Sequence, residues 1–130
     1  MIVSSRGRYA LRVMVALAER QGDGFIPLKE LAAQEEISQK YLESIMTTLS
    51  KGNLVEAVHG KNGGYRLNRP LEGYTVGEIL RLTEGDLTGV GCDEACSRAG
   101  GCHTRPMWLR LNRMVDDFFD GITLKDLKEG

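Results

Sequence analysis

Three cysteines and a histidine cluster late in the chain as Cys92-x3-Cys96-x5-Cys102, with His103 directly after. Thiolates bind soft metals and iron–sulfur clusters, and the glycine-rich stretch from 85 to 103 can wrap around such a centre. Three thiolates with one nitrogen or oxygen ligand can hold a cluster, of the 2Fe–2S or the 4Fe–4S type. The same four side chains, Cys92, Cys96, Cys102 and His103, equally make a Cys3His zinc set. A third chemistry needs no metal, because Arg98 and Arg105 can stabilise thiolates for a redox role. The spacing leaves all three open. No acidic pair or nucleophile–base arrangement stands out, and the other histidine, His59, lies far away in the sequence. No catalytic residue and no enzyme are expected.

The rest of the composition narrows the setting. A chain of 130 residues buries roughly two-thirds of its unfolded surface, so it needs no disulfides to fold. An odd cysteine count also argues against a disulfide framework. The opening stretch, MIVSSRGRYALRVMVALAER, has a short apolar run interrupted by Arg12, too short and too charged for a signal peptide or membrane span. A cytoplasmic protein without a membrane partner is expected. Net charge is −1, but residues 1–70 hold 10 Lys and Arg against 7 Asp and Glu, whereas residues 71–130 hold 7 against 11. The basic half is the one a polyanion such as DNA would meet.

Residues 37–67 carry the elements that would meet it. Ser38 suits a helix N-cap, and Leu42, Ile45, Met46 and Leu49 recur at helical spacing as a core stripe. Gln39, Lys40, Glu43, Ser44 and Thr47 fall on the opposite, hydrogen-bonding face. Gly52 is read as the left-handed residue ending this helix. Two short strands follow, Leu54 to Val58 and Tyr65 to Asn68, around a HGKNGG turn in which Gly60, Gly63 and Gly64 permit positive φ. Upstream, Ser4 or Ser5 caps a helix to about Arg20, and Pro27 opens a second helix with Leu28, Leu31 and Ala32 inside. Helix, turn, polar-faced helix and basic ribbon make a winged helix-turn-helix suited to a DNA groove. The residues expected at double-stranded promoter DNA are Ser38, Gln39, Lys40, Tyr41, Glu43, Ser44 and Thr47 on the helix. On the wing they are His59, Gly60, Lys61, Asn62, Gly63 and Arg66.

Beyond the wing, Thr75 and Glu78 read as a capping box for a helix that ends near Gly85. A second helix begins around Thr104 to Pro106 and ends at Gly121. Its apolar face of Trp108, Leu111, Val115 and Phe118 is broad enough to suggest a homodimer, and ITLKDLKEG reads as a turn or tail. The expected architecture is mostly α with a small β wing. It comprises a winged helix-turn-helix DNA-binding domain at 1–84, a cysteine-rich cluster-binding loop at 85–104, and a dimerisation helix with tail at 105–130.

Taken together, SSRGRYAL, ISQKYLE, HGKNGGYRL, YTVGEIL, the three-cysteine loop and ITLKDL resemble the IscR/NsrR family of bacterial winged-helix transcription factors over nearly the whole chain. The likeness is greatest to its regulators of iron–sulfur cluster assembly genes. The resemblance implies a homodimer that binds a promoter, with an iron–sulfur cluster on Cys92, Cys96 and Cys102 controlling binding. It implies that Glu43 discriminates base contacts beside Gln39 and Lys40. The chain departs from the pattern at His59, where the family usually has a minor-groove arginine, and at Arg105 and Arg8, which stand where fourth ligands lie in relatives. The fourth ligand is left open, with His103 the candidate substitute through a shifted loop. A protein-interaction adaptor, as among CymR-like relatives, is the rival role and would bring a protein partner.

Overall fold

The computed structural model describes residues 3–85, 87 and 101–130. Helix α1, Ser5–Glu19, lies at the centre and packs against most of the other elements. Ser4 caps it by accepting from the Gly7 N–H, and Ala10, Val13, Met14 and Leu17 are buried along it. Helices α2, Leu28–Glu35, and α3, Gln39–Lys51, form the helix-turn-helix. Pro27 is the residue before α2 rather than its first turn, with extended backbone, and Glu36 ends α2 in the left-handed conformation. Ser38 caps α3 by accepting from Tyr41 N–H, and Leu42, Ile45, Met46 and Leu49 are all buried, as the periodicity predicts.

Gly52 is not the left-handed residue after α3. Its φ is −80°, and Asn53 takes φ 60° instead. The glycine is needed for another reason, since a Cβ there would strike the Leu82 side chain of the next helix. The wing pairs β1, Val55–Val58, with β2, Gly64–Leu67, in antiparallel register from Val55 opposite Leu67 to Val58 opposite Gly64. Ile26 exchanges two backbone hydrogen bonds with Tyr65, at 2.8 and 2.9 Å, so the ribbon is anchored to the start of α2. At the tip Gly60 has positive φ, whereas Gly63 does not and instead leaves room for the Val58 carbonyl.

A short 3-10 turn, Leu71–Gly73, leads into α4, Val76–Glu84. Thr75 accepts from Glu78 N–H, but the Glu78 carboxylate turns to Arg69 at 2.8 Å instead of closing a capping box. The tail is a sixth helix, not a loose end. After α5, Arg105–Asp120, comes α6, Leu124–Glu129, with a complete capping box between Thr123 and Asp126. Leu124 is fully buried in the core that α1 and α3 share. Val76 and Leu80 of α4 form a second cluster with Leu87, onto which Val115 and Phe119 of α5 pack. The arrangement is mostly helical with one two-stranded wing, as expected.

Tyr74 joins the two halves. Its ring is fully buried, its hydroxyl accepts from Asn68 N–H at 2.9 Å, and the hydroxyl oxygen lies 2.8 Å from the Leu54 carbonyl. Burial raises its pKa, so the hydroxyl stays protonated as a donor. Tyr74→Phe strands two backbone groups and is expected to cost roughly 1–3 kcal/mol of unfolding free energy. This should appear as a lower urea midpoint at unchanged slope. A wild-type midpoint would show that water replaces the hydroxyl at no cost.

Candidate nucleic-acid interface

Because α3 buries one stripe, its other face must project, and Gln39, Lys40, Glu43, Ser44 and Thr47 are all exposed. These side chains are not equally available. Thr47 donates its hydroxyl to the Glu43 carbonyl at 2.8 Å, leaving its methyl and oxygen outward. Ser44 accepts from the Arg6 guanidinium at 2.9 Å. Tyr41 is half-buried with its ring edge-on to Tyr9, centroids 5.9 Å apart. The side chains of Gln39, Lys40 and Glu43 make no hydrogen bond or ion pair among the described residues, so they are the freest groups on this face.

The wing stands beside this helix across a cleft of about 340 Å³ whose walls include Glu43, His59, Lys61 and Tyr65. A second hollow of about 210 Å³ lies between Thr47, Ser50 and Lys51 on the helix and Ala57, His59 and Tyr65 on the wing. His59, Gly60, Lys61 and Asn62 are exposed at the tip, with Gly63 half-buried. Tyr65, Ser50 and Lys51 were missed in the sequence. Tyr65 lines both hollows, and burial followed by the nearby Glu43 charge raises its pKa, keeping the phenol protonated and able to donate. Strand alternation was the available signal, because Tyr65 pairs with Ala57 on the α3 side and its neighbour must face away.

That neighbour is Arg66. Its guanidinium pairs with Glu56 at 2.7 Å and lies over the Phe25 ring at 4.4 Å, on the far side of the ribbon from α3. Arg69 is similarly occupied, with Glu78 and the Gly73 carbonyl. Arg6 does not reach outward either. Its Nη2 donates to the Ser44 carbonyl at 3.1 Å and to Thr48 Oγ1 at 2.8 Å, tying α1 to α3.

The four residues expected at a subunit contact divide between two faces of α5. Val115 turns inward and Trp108 is half-buried, while Leu111 and Phe118 are exposed, Phe118 by 63%. Met107 and Met114 join Leu111 and Phe118 at intervals of four, three and four, giving an exposed apolar stripe. Arg81 holds the helix to α4 through Asp116 at 3.0 Å and Asp120 at 2.6 Å. Gly77 allows that approach, since a Cβ there would meet the Asp120 carboxylate.

Of the proposed metal ligands, Cys92 and Cys96 lie outside the described residues. Cys102 is half-buried just before α5, with its sulfur 3.2 Å from Thr104 Oγ1. The hydrogen bond from the Thr104 side chain, then backbone N–H groups of Thr104 and Arg105, lower its pKa. A sulfur so placed favours the thiolate, the form in which cysteine binds a soft metal. His103 beside it is exposed. Among the described residues no three His, Cys, Asp or Glu side chains gather as a metal site, and no helix is long and apolar enough to cross a membrane.

A family model described as Rrf2, iron-dependent transcriptional regulator, matches residues 3–130. The HTH-type transcriptional regulator CymR of Bacillus subtilis is 35% identical over 127 residues, 98% of this chain and 89% of that protein. The HTH-type transcriptional regulator IscR of Erwinia tasmaniensis is 32% identical over 129 residues, 98% of this chain and 78% of that one. The solved structure of the B. subtilis protein, described as the global cysteine regulator, superposes with a TM-score of 0.84 at 33% identity, covering 99% of this chain and 97% of that one. These relatives are named as regulators, not enzymes, in agreement with the absence of a catalytic constellation in the sequence.

Proposed function

We propose, for a chain that belongs to the Rrf2 family and is a transcriptional regulator, that it binds double-stranded promoter DNA as a homodimer under control of an iron–sulfur cluster. The observation that supports DNA reading best is the exposed face of α3, where the side chains of Gln39, Lys40 and Glu43 are free and Glu43 lines a cleft shared with the wing. An α-helix fits the major groove, where Gln pairs with adenine, Lys with guanine, and Glu accepts from cytosine. The Thr47 methyl suits a thymine methyl, and Ser38 at the helix cap, with Tyr41 and Ser44 on the flanks, would complete the helix contact. His59 and Lys61, with Asn62 and the Gly60 and Gly63 backbone, would lie along the phosphates or the adjoining minor groove.

The exposed stripe on α5 supports the dimer. Two copies sharing it would place two reading helices on successive half-sites. Cys92, Cys96 and Cys102 would hold the cluster, with His103 as the fourth donor. A cluster held by these residues would supply a centre that responds to iron–sulfur status, redox conditions or nitric oxide. The chain's own part is to keep Cys102 as a thiolate donor, through Thr104 and the first N–H groups of α5.

A second reading has a specific observation behind it, because the CymR relative matches as closely as the IscR one and its structure is described as that of a cysteine regulator. There the cysteines would act as thiols without iron. Zinc on the same ligands, or a protein partner in place of DNA, belongs to the same group of alternatives.

Three measurements test these statements. Binding to DNA selected from a random pool should weaken steeply with salt, and Lys61→Ala should lower the slope of log affinity against log salt by about 1. Arg66→Ala should leave the slope near its wild-type value, since Glu56 already neutralises that guanidinium; equal losses would place both at phosphates. No salt-dependent binding at all would end the DNA reading. Protein purified without oxygen should carry iron and acid-labile sulfide with visible absorbance, lost on replacing Cys92, Cys96 or Cys102. Colourless protein with stoichiometric zinc would make the segment structural, and metal-free protein would favour the thiol reading. Finally, Met114→Glu with Phe118→Glu should convert a sedimenting dimer into a folded monomer, and a dimer that persists would move the contact off this stripe.

A further inference from the structure

The last residue of α4 before the cysteine segment is Glu84, and its carboxylate does not point to solvent. Oε1 accepts from the Ser4 backbone N–H at 3.1 Å and from the Ser4 hydroxyl. Ser4 is the N-cap of α1, and the first turn of α1 has no acidic residue of its own. Glu84 therefore supplies, from another helix, the negative charge that a helix N-terminus favours. Gly7, which is buried, leaves room for the contact, since a Cβ there would crowd that same carboxylate.

Between Ser4 and Gly7 the turn carries Arg6. One guanidinium there donates to Ser44 Oγ at 2.9 Å, the Ser44 carbonyl at 3.1 Å and Thr48 Oγ1 at 2.8 Å. Charge-assisted bonds of this kind are the stronger class, and three from one planar group fix both distance and rotation. Ser44 and Thr48 alternate with Glu43 and Thr47 on the same turn of α3. Whatever shifts Arg6 therefore rotates the side chains that face the cleft.

We propose that Arg6 is a positioning residue for the reading helix, and that Glu84 sets it through Ser4, so that the end of α4 and the exposed face of α3 are joined by hydrogen bonds on either side of the first turn of α1 within a single subunit. The path runs from Glu84 to the α1 cap, then through Arg6 to Ser44 and Thr48. It rests on the DNA-reading role proposed above only for its consequence, since the path itself belongs to the free protein. A change in the cysteine segment that draws the α4 end away from α1 loosens the first turn and releases α3.

Hydrogen exchange of the free, full-length protein tests this without DNA. Glu84→Ala should raise exchange about tenfold or more, the loss expected for charge-assisted bonds, at the first turn of α1 and at residues 44–48 of α3. The wing and α2 should keep their wild-type rates. Glu84→Gln retains an acceptor without the charge and should exchange between wild type and Glu84→Ala, and Arg6→Ala should loosen residues 44–48 while leaving the Ser4–Glu84 contact protected. The path is overturned if Glu84→Ala leaves α3 unchanged or loosens the whole chain evenly. It is equally overturned if the Gln variant is as loose as the Ala variant. Failure to bind DNA would remove the proposed function and leave these exchange results to stand or fall alone.

Discussion

The glycine at residue 7 lets the Glu84 carboxylate at the end of α4 lie against the first turn of α1, where a Cβ would crowd it. Everything else is arranged around α1. Its buried stripe meets α2 and α3 on one side and α4 and α6 on another, so the helix is part of both hydrophobic clusters through Leu11 and its neighbours. Because α1 is shared, a displacement at its first turn cannot stay local. The packed interior transmits small shifts where a fluid one would absorb them.

The two long amphipathic helices outside this centre have different fates. Helix α3 buries four apolar residues and exposes polar ones, which is the ordinary economy of a surface helix. Helix α5 has apolar residues on two sides: Val115 and Phe119 cover Val76, Leu80 and Leu87, while Met107, Leu111, Met114 and Phe118 remain in contact with water. An exposed stripe of that size is unfavourable for an isolated chain, and two methionines in it give a surface that adapts to its cover. Arg81 matters here because polar contacts to Asp116 and Asp120 orient the helix where apolar burial alone leaves its rotation loosely defined.

Most of the helices, the polar exposed face of α3 and the wing were legible in the sequence because their causes are local. Ser4, Ser38 and Thr75 act as caps, and the buried residues of α3 follow the helical period. Where the cause is distant, the sequence misleads. Gly52 resembles a helix stop, yet its need comes from Leu82, thirty positions on, while Asn53 takes the left-handed turn. Glu78 has the spacing of a capping box, but Arg69 is a better partner for a carboxylate than one backbone N–H. The last helix was read as a tail because six residues carry too little period to recognise, although Thr123 and Asp126 mark its start. The Ile26 bridge to the wing has no sequence signal at all.

Arg66 gives the most useful lesson, because composition and geometry disagree there. The amino-terminal half counts as basic, yet most of its arginines are engaged inside the molecule. Arg12 pairs with Glu35, Arg20 with Glu30 and Asp23, Arg66 with Glu56, Arg69 with Glu78, and Arg6 is held by α3. Lys40, Lys51 and Lys61 make no ion pair among the described residues, and all three lie on α3 or the wing, with Lys51 and Lys61 lining the hollows between them. The division follows from side-chain chemistry. Guanidinium is planar and weakly hydrated, so it suits fixed pairs within a fold, whereas ammonium is a strongly hydrated point charge on a flexible stem. The unpaired charge on α3 and the wing is therefore carried by lysines, which attract phosphate without imposing one geometry. In the proposed role, base selectivity would rest with Gln39, Lys40 and Glu43 on α3.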